Sequence, residues 1–258
     1  MQPVVLFCKS YINDLLRAKR LADSISRYNR DQLPFYLCVP RSDLPAFQEL
    51  IGSAGLHWIT DEQVLDQMLN AVGDAKALVD FPRHLLQQLI KIEFWRMDVG
   101  ANYVIIDSDS YFIRPFGRAD FLCNGEHPYT VMHECKELLQ FAARRGMVKV
   151  IQDYRALCRQ FQQLFGRSGP CWDFGPPPLV WSSALWRHFY THYAAAHGTH
   201  MAALLKGHPS EIQWYGEYLL HSRLFPLLPV EPFFKFYHYQ EQYDEGRDLK
   251  ETENSLAE

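Results

Sequence analysis

Residues 102–116 read NYVIIDSDSYFIRPF, an apolar run that ends in two aspartates one residue apart. Tyr103–Ile106 has the aromatic and β-branched content of a buried strand. The continuation Tyr111–Phe116 returns to apolar residues, so the acidic pair stays within the fold instead of trailing into solvent. Read alone, Asp107-x-Asp109 fits either a metal-binding strand end or a polar turn.

Upstream, PRHLLQQLIKIEFWRMDV (82–99) has helical spacing, with Pro82 in the first turn where a missing N–H costs little. Further back, VVLFCKS (4–10) and PFYLCVP (34–40) read as strands and HWIT (57–60) as a short third one. Helices are expected over 12–28, from about 43, and over 61–72. This alternation predicts an α/β fold with a mainly parallel sheet flanked by helices. Such sheets bind ligands at the carboxyl ends of their strands. Lys9 and Ser10 therefore share an edge with Asp107 and Asp109.

Downstream, PYTVMHE (128–134) is expected to be a strand, and helices are expected over 137–146, 150–166, 183–197 and 210–224. A loop rich in proline and glycine at 168–182 leads into a short strand. The expected organisation is one domain over 1–240, in two halves that meet near residue 116 (1–116 and 117–240). A polar tail at 241–258 is expected to fray.

The 258 residues include 26 basic and 30 acidic ones, a net charge of -4 that argues against a nucleic-acid surface. Six cysteines form no CxxC pair and no zinc-like spacing, so reduced thiols are expected. No apolar stretch reaches membrane-spanning length, and the sequence reads as cytoplasmic, compatible with peripheral contact at the inner face of a membrane. Aromatic residues reach 14%, concentrated after residue 170. Trp172, Trp181 and Trp214 are candidates for stacking on a sugar, or for core.

Hard cations such as Mn2+ or Mg2+ prefer oxygen ligands and leave positions to water and substrate phosphate. Two aspartates do not complete a cage, which makes a nucleoside diphosphate a natural co-ligand. Rival enzymes fit less well. A haloacid-dehalogenase-type phosphatase expects a small β-branched residue where Tyr111 stands, and a nucleotidyltransferase expects glycines after the first strand, where FCKSYINDLL has none.

KSYINDLLRAKRLADSI, PFYLCVPRSDLPAF, LLQQLIKI, YVIIDSDSYFIRPF and SEIQWYGEYL occur in that order over residues 9–220. With these pieces the chain resembles GT-A glycosyltransferases and, more closely, a bacterial family of unknown function with that fold. The resemblance implies metal-dependent transfer of a sugar from a nucleotide-activated donor to a saccharide or glycolipid acceptor, in bacterial surface polysaccharide or lipopolysaccharide synthesis. It implies that Asp107 and Asp109 sit at the metal, with Asp109 the direct ligand and Ser108 touching the nucleotide through its backbone.

By the same resemblance, Lys9, Ser10 and Tyr11 lie in the nucleotide loop, and Gln87, Gln88 and Lys91 face the donor from one side of a helix. Lys9 also reads as a solvated strand end, and Lys91 as the partner of Glu93. Glu211, in the first turn of a helix after Ser210, is the implied general base; a helix-dipole role would favour an acid there as well. Glu217 is the substitute base. His238 is the implied third metal ligand, ahead of His133. The competing class is a non-catalytic carbohydrate- or nucleotide-binding protein of the same fold.

Overall fold

The computed structural model describes residues 1–53, 55–74 and 76–248. Strand β1 (Gln2–Lys9) is buried continuously from Val4 to Cys8, the pattern of a central strand covered on both faces. Helix α1 (Leu15–Tyr28), preceded by a 3-10 turn at Ile12–Asp14, turns Ala18, Leu21, Ser24 and Ile25 inward. Then follow β2 (Phe35–Val39), α2 (Leu44–Ile51) and β3 (Leu56–Thr60). Thr60 caps α3 (Asp61–Val72): its hydroxyl accepts from the Gln63 N–H and the Gln63 side chain accepts from the Thr60 N–H, a reciprocal capping box.

Helix α4 (Arg83–Glu93) passes through a 3-10 turn (Phe94–Met97) and a left-handed Asp98 into β4 (Gly100–Ile105). The helix expected over 82–99 is thus shorter, and its tightened end stacks Phe94 on Phe7 at 3.9 Å. Two-residue strands β5 (Leu122–Cys123) and β6 (His127–Pro128) pair antiparallel, and β7 is Thr130–Val131, so PYTVMHE yields only fragments of strand. Helices α5 (Lys136–Arg144) and α6 (Val148–Leu164) precede β8 (Leu179–Ser182).

Helix α7 (Ser183–His188) continues as a π-helical turn at Phe189–Ala194, before α8 (Met201–Gly207), α9 (Glu211–Ser222) and β9 (Pro229–Val230), which pairs parallel with β7. Helix α10 (Gln240–Asp248) occupies the first part of the segment expected to fray. The rest of that segment lies outside the described residues. No helix among the described residues is long and apolar enough to cross a membrane.

The main sheet has the order β3-β2-β1-β4-β8, and β3, β2, β1 and β4 are mutually parallel. The mixed α/β architecture with a mostly parallel sheet is the one the alternation predicts. From β1 the chain moves outward to β2 and β3, then returns to place β4 on the other side of β1. The reversal creates a crevice outside the carboxyl ends of β1 and β4, where ligands of open α/β sheets bind.

The chain forms two compact units: Met1–Pro128 with Val180–Glu211, and Tyr129–Leu179 with the chain from Ile212 on. A boundary near residue 116 is therefore not where the contacts divide. The sequence after Val180 comes back to extend the first sheet, and strand periodicity carries no record of such a return.

Candidate active site

The acidic pair is fixed from three sides. The Ile106 N–H donates to the Phe7 carbonyl at 2.9 Å, carrying the β1–β4 ladder to the residue before Asp107. The Ser110 N–H then donates to the Asp107 carbonyl at 3.0 Å, turning the chain, and aspartate suits the first position of such a turn. Beyond it, the Phe112 N–H donates to Ser24 Oγ on α1 at 3.0 Å, while the Arg20 guanidinium lies 3.5 Å from the centre of the Tyr111 ring. Phe112 and Phe116 stack at 3.8 Å. The YFIRPF stretch therefore anchors the loop to α1.

Lys91 reaches this edge from α4. Tyr103 Oη, on β4, shares its one hydrogen between the Lys91 and Ile92 carbonyls, at 3.2 and 3.1 Å, near a helix end that leaves acceptors open. The contact sets the last turn of α4 against β4. Lys91 Nζ donates to Asp107 Oδ1 at 2.7 Å and lies 3.6 Å from Glu211 Oε1, with the lysine side chain only 8% exposed. Burial opposes its charge, but the Asp107 and Glu211 carboxylates outweigh burial and raise its pKa. Glu93 pairs instead with Arg96 at 2.6 Å and with Tyr190, so it is not the partner of Lys91.

Glu211, the first residue of α9, is buried. Burial raises its pKa, Lys91 acts against that rise, and Asp107 adds to it. A buried carboxylate held near an ammonium, with its proton affinity raised, has the character of a general base. Asp109 is exposed and Ser108 buried. Desolvation first, and the Asp107 charge second, push Asp109 upward. Among the described residues no three His, Cys, Asp or Glu side chains converge as a ready metal cluster. The donor set does fit a hard cation: two carboxylates one residue apart, Asp109 open to solvent, supply oxygen ligands and leave positions for water and phosphate.

The loop after β1 is built differently from a solvated strand end. Lys9 Nζ lies 3.1 Å from Asp61 Oδ2, with side chains 8% and 10% exposed, and donates to the Ser10 carbonyl at 2.5 Å. Cys38 Sγ, on β2, donates to Asp61 Oδ1 at 3.4 Å. Burial raises the Asp61 pKa against the pull of Lys9. Ser10 Oγ and Gln88 Oε1 are buried without a hydrogen-bond partner among the described residues. Tyr11 and Gln87 are exposed.

Asp61 was not singled out by sequence. Its signal was the capping box T-D-E-Q directly after a strand parallel to β1, which carries Asp61 to the same carboxyl edge.

The other expected site residues lie in the second unit or in the core of the first. Glu217 is fully buried and takes a two-pronged bond from Arg167, Nε to Oε2 and Nη2 to Oε1, each at 2.6 Å. It is committed to that pair and is not a free base. Trp181 and Trp214 are buried, against Tyr103 and Trp186 in one case and Phe161 and Phe165 in the other, so neither presents a face to a sugar. Trp172 is half-buried. His238 lies in the second unit, edge-on to Phe236, with its backbone N–H donating to Gln242. His133 bonds the Gly175 carbonyl through Nε2. All six cysteines are free thiols.

Among solved structures, the apo form of mouse xyloside xylosyltransferase 1 is similar over 87% of this chain and 84% of that one, at 11% identity and a TM-score of 0.49. No curated protein sequence matches. Residues 3–255 match the model of a family of unknown function, DUF6492, and the protein is a member of that family.

Proposed function

We propose that the protein is a metal-dependent glycosyltransferase, moving a sugar from a nucleotide-activated donor to a saccharide or glycolipid acceptor in bacterial surface polysaccharide or lipopolysaccharide synthesis. The observation that carries this reading is the row Asp107–Lys91–Glu211 at the carboxyl edge beside β1, with Asp109 two residues on. The ordered motifs over residues 9–220 supply the class of donor and acceptor.

Asp107 and Asp109 would hold Mn2+ or Mg2+, and a cation bound there offsets negative charge growing on a departing diphosphate. Lys91 holds Asp107 in place and adds a fixed positive charge beside it. Ser10 Oγ and Gln88 Oε1 offer buried polar atoms to the nucleotide and sugar hydroxyls, with Tyr11 and Gln87 at the solvent side. Glu211 accepts the proton of the attacking acceptor hydroxyl, a task that requires its carboxylate to be ionised. The work is done on the cytoplasmic side, at or near the inner face of a membrane.

Titration calorimetry with nucleoside diphosphates tests this. Binding in Mn2+ that is lost with chelator, and lost again in Asp109→Ala, is expected. A second reading, a nucleotide-binding protein without a metal, is favoured by the Lys91 bond that already engages Asp107. It predicts equal affinity with and without Mn2+. Absence of nucleotide binding in every metal condition, with Asp109→Ala behaving as the parent, would sink both.

A further inference from the structure

The second unit carries a cavity of about 350 Å³ between α5, α6 and the Pro170–Cys171 segment. That volume falls within the range of small-molecule sites. Arg155 and Arg159 both line it, one helical turn apart on α6 and therefore on one face. Both are exposed, and neither has a hydrogen bond, an ion pair or a ring contact among the described residues. Of the other charged residues in the lining, Lys136 is paired with Glu134 at 2.9 Å, so the two neutralise each other.

The cavity thus holds two unpartnered guanidinium groups in a chain whose net charge is -4. Behind them lies the Tyr154 hydroxyl, buried beside the Cys158 thiol. Burial raises the Tyr154 pKa, which keeps the hydroxyl protonated and available as a donor. Gln140, Leu139 and Pro170 also line the cavity.

We propose that this cavity is a binding site for a phosphate monoester, sized for a sugar phosphate, with Arg155 and Arg159 gripping the phosphate and Tyr154 donating a third hydrogen bond. Guanidinium forks match phosphate oxygens in pairs, and such charge-assisted bonds are about twice as strong as neutral ones. The two like charges stand one helical turn apart on α6 and repel, and a compact dianion held between them would offset that repulsion. The site stands apart from the sugar-transfer reading, because its readout is binding alone.

Cys171 in the cavity wall provides a reporter. It is half-buried, as is Cys123, while the other four cysteines are buried. The full-length protein is treated with iodoacetamide in the presence of glucose 6-phosphate, inorganic phosphate or neutral glucose, and adducts at Cys171 and Cys123 are quantified by mass spectrometry.

Glucose 6-phosphate is expected to slow Cys171 alkylation by about fivefold or more, inorganic phosphate to protect less, and glucose not at all, with Cys123 unchanged throughout. In direct titration, Arg155→Gln and Arg159→Gln should each weaken glucose 6-phosphate binding by about tenfold or more. Both side chains are exposed, so the variants should fold as the parent does, which a thermal melt checks. Failure of both phosphates to protect Cys171, equal protection by glucose, or unchanged protection in the double arginine variant overturns the proposal.

Discussion

Lys91 is a charged side chain in a position that burial alone would neutralise, and two carboxylates keep it protonated. Glu211, beside it, is shifted by its own burial. Its pKa is raised because desolvation outweighs the help from Lys91. If Glu211 is the base, it must be ionised to work, so the acidic limb of the transfer-rate profile should lie above the ordinary glutamate value of about 4.3. Activity is therefore lost earlier on acidification than an unperturbed glutamate would allow. Glu211→Gln should remove that limb together with roughly 10²–10⁴ of the rate. A limb at the ordinary value, or full activity in the variant, would exclude the role.

The stability consequence has the opposite direction. A carboxyl with a raised folded-state pKa binds its proton more tightly in the native protein than in the unfolded chain. Its contribution is therefore fully present below the unfolded pKa and declines as pH rises through the folded one. Glu211 would serve catalysis in the form that stabilises the protein less, a conflict familiar from functional sites.

Among the elements, α9 shows most plainly what a single atom decides. A Cβ at Gly216 would stand 2.0 Å from Cγ of Phe174, whose ring is buried against the helix backbone. Alanine normally improves a helix by about 1 kcal/mol over glycine. Here the displaced ring costs more, because overpacking a filled core costs about 1–3 kcal/mol or above. Gly216→Ala should lower stability by a net 1–2 kcal/mol or so in urea unfolding; a rise in midpoint would show that Phe174 moves freely.

The same helix marks how far sequence reasoning reaches. Its span and its leading glutamate were legible from periodicity and from the Ser210-Glu211 start, as were the four parallel strands and the shared edge of Lys9 and Asp107. Partner choice was not. Glu93 is two residues from Lys91, yet it faces Arg96 and Tyr190, whereas Lys91 meets Asp107 sixteen positions away. Side-chain direction at a helix end depends on what the next layer offers, and local spacing does not carry that. Trp181 takes the core alternative, and Glu217 a buried partner in place of a substrate, for a related reason: a side chain with an apolar body and a polar tip reads alike in sequence whether that tip meets a substrate or a buried partner.

For the whole molecule, the first unit depends on residues far from its beginning. Val180–Glu211 contribute Val180, Trp181, Leu185, Trp186 and Phe189 to its core, and Ser183 Oγ bonds the Gly100 carbonyl at 2.7 Å. Burying a large apolar side chain contributes about 2 kcal/mol. Five of them approach the entire net stability of an ordinary domain, about 5–15 kcal/mol. A fragment ending at Pro128 should therefore give a broad, uncooperative denaturant transition by circular dichroism, while the full chain gives a sharp one. A cooperative transition in the fragment would mean that β8 and α7 decorate a core complete without them.

The interleaving also has a bearing on inheritance. The chain changes unit after Pro128, after Leu179 and after Glu211. Replacing the second unit with that of a relative would take a recombination event with three matched breakpoints, where an end-to-end pair of modules needs one. Diversity within the family should accordingly accumulate by point substitution inside each unit, and chimaeric members joined at a single seam should be rare among its genomes.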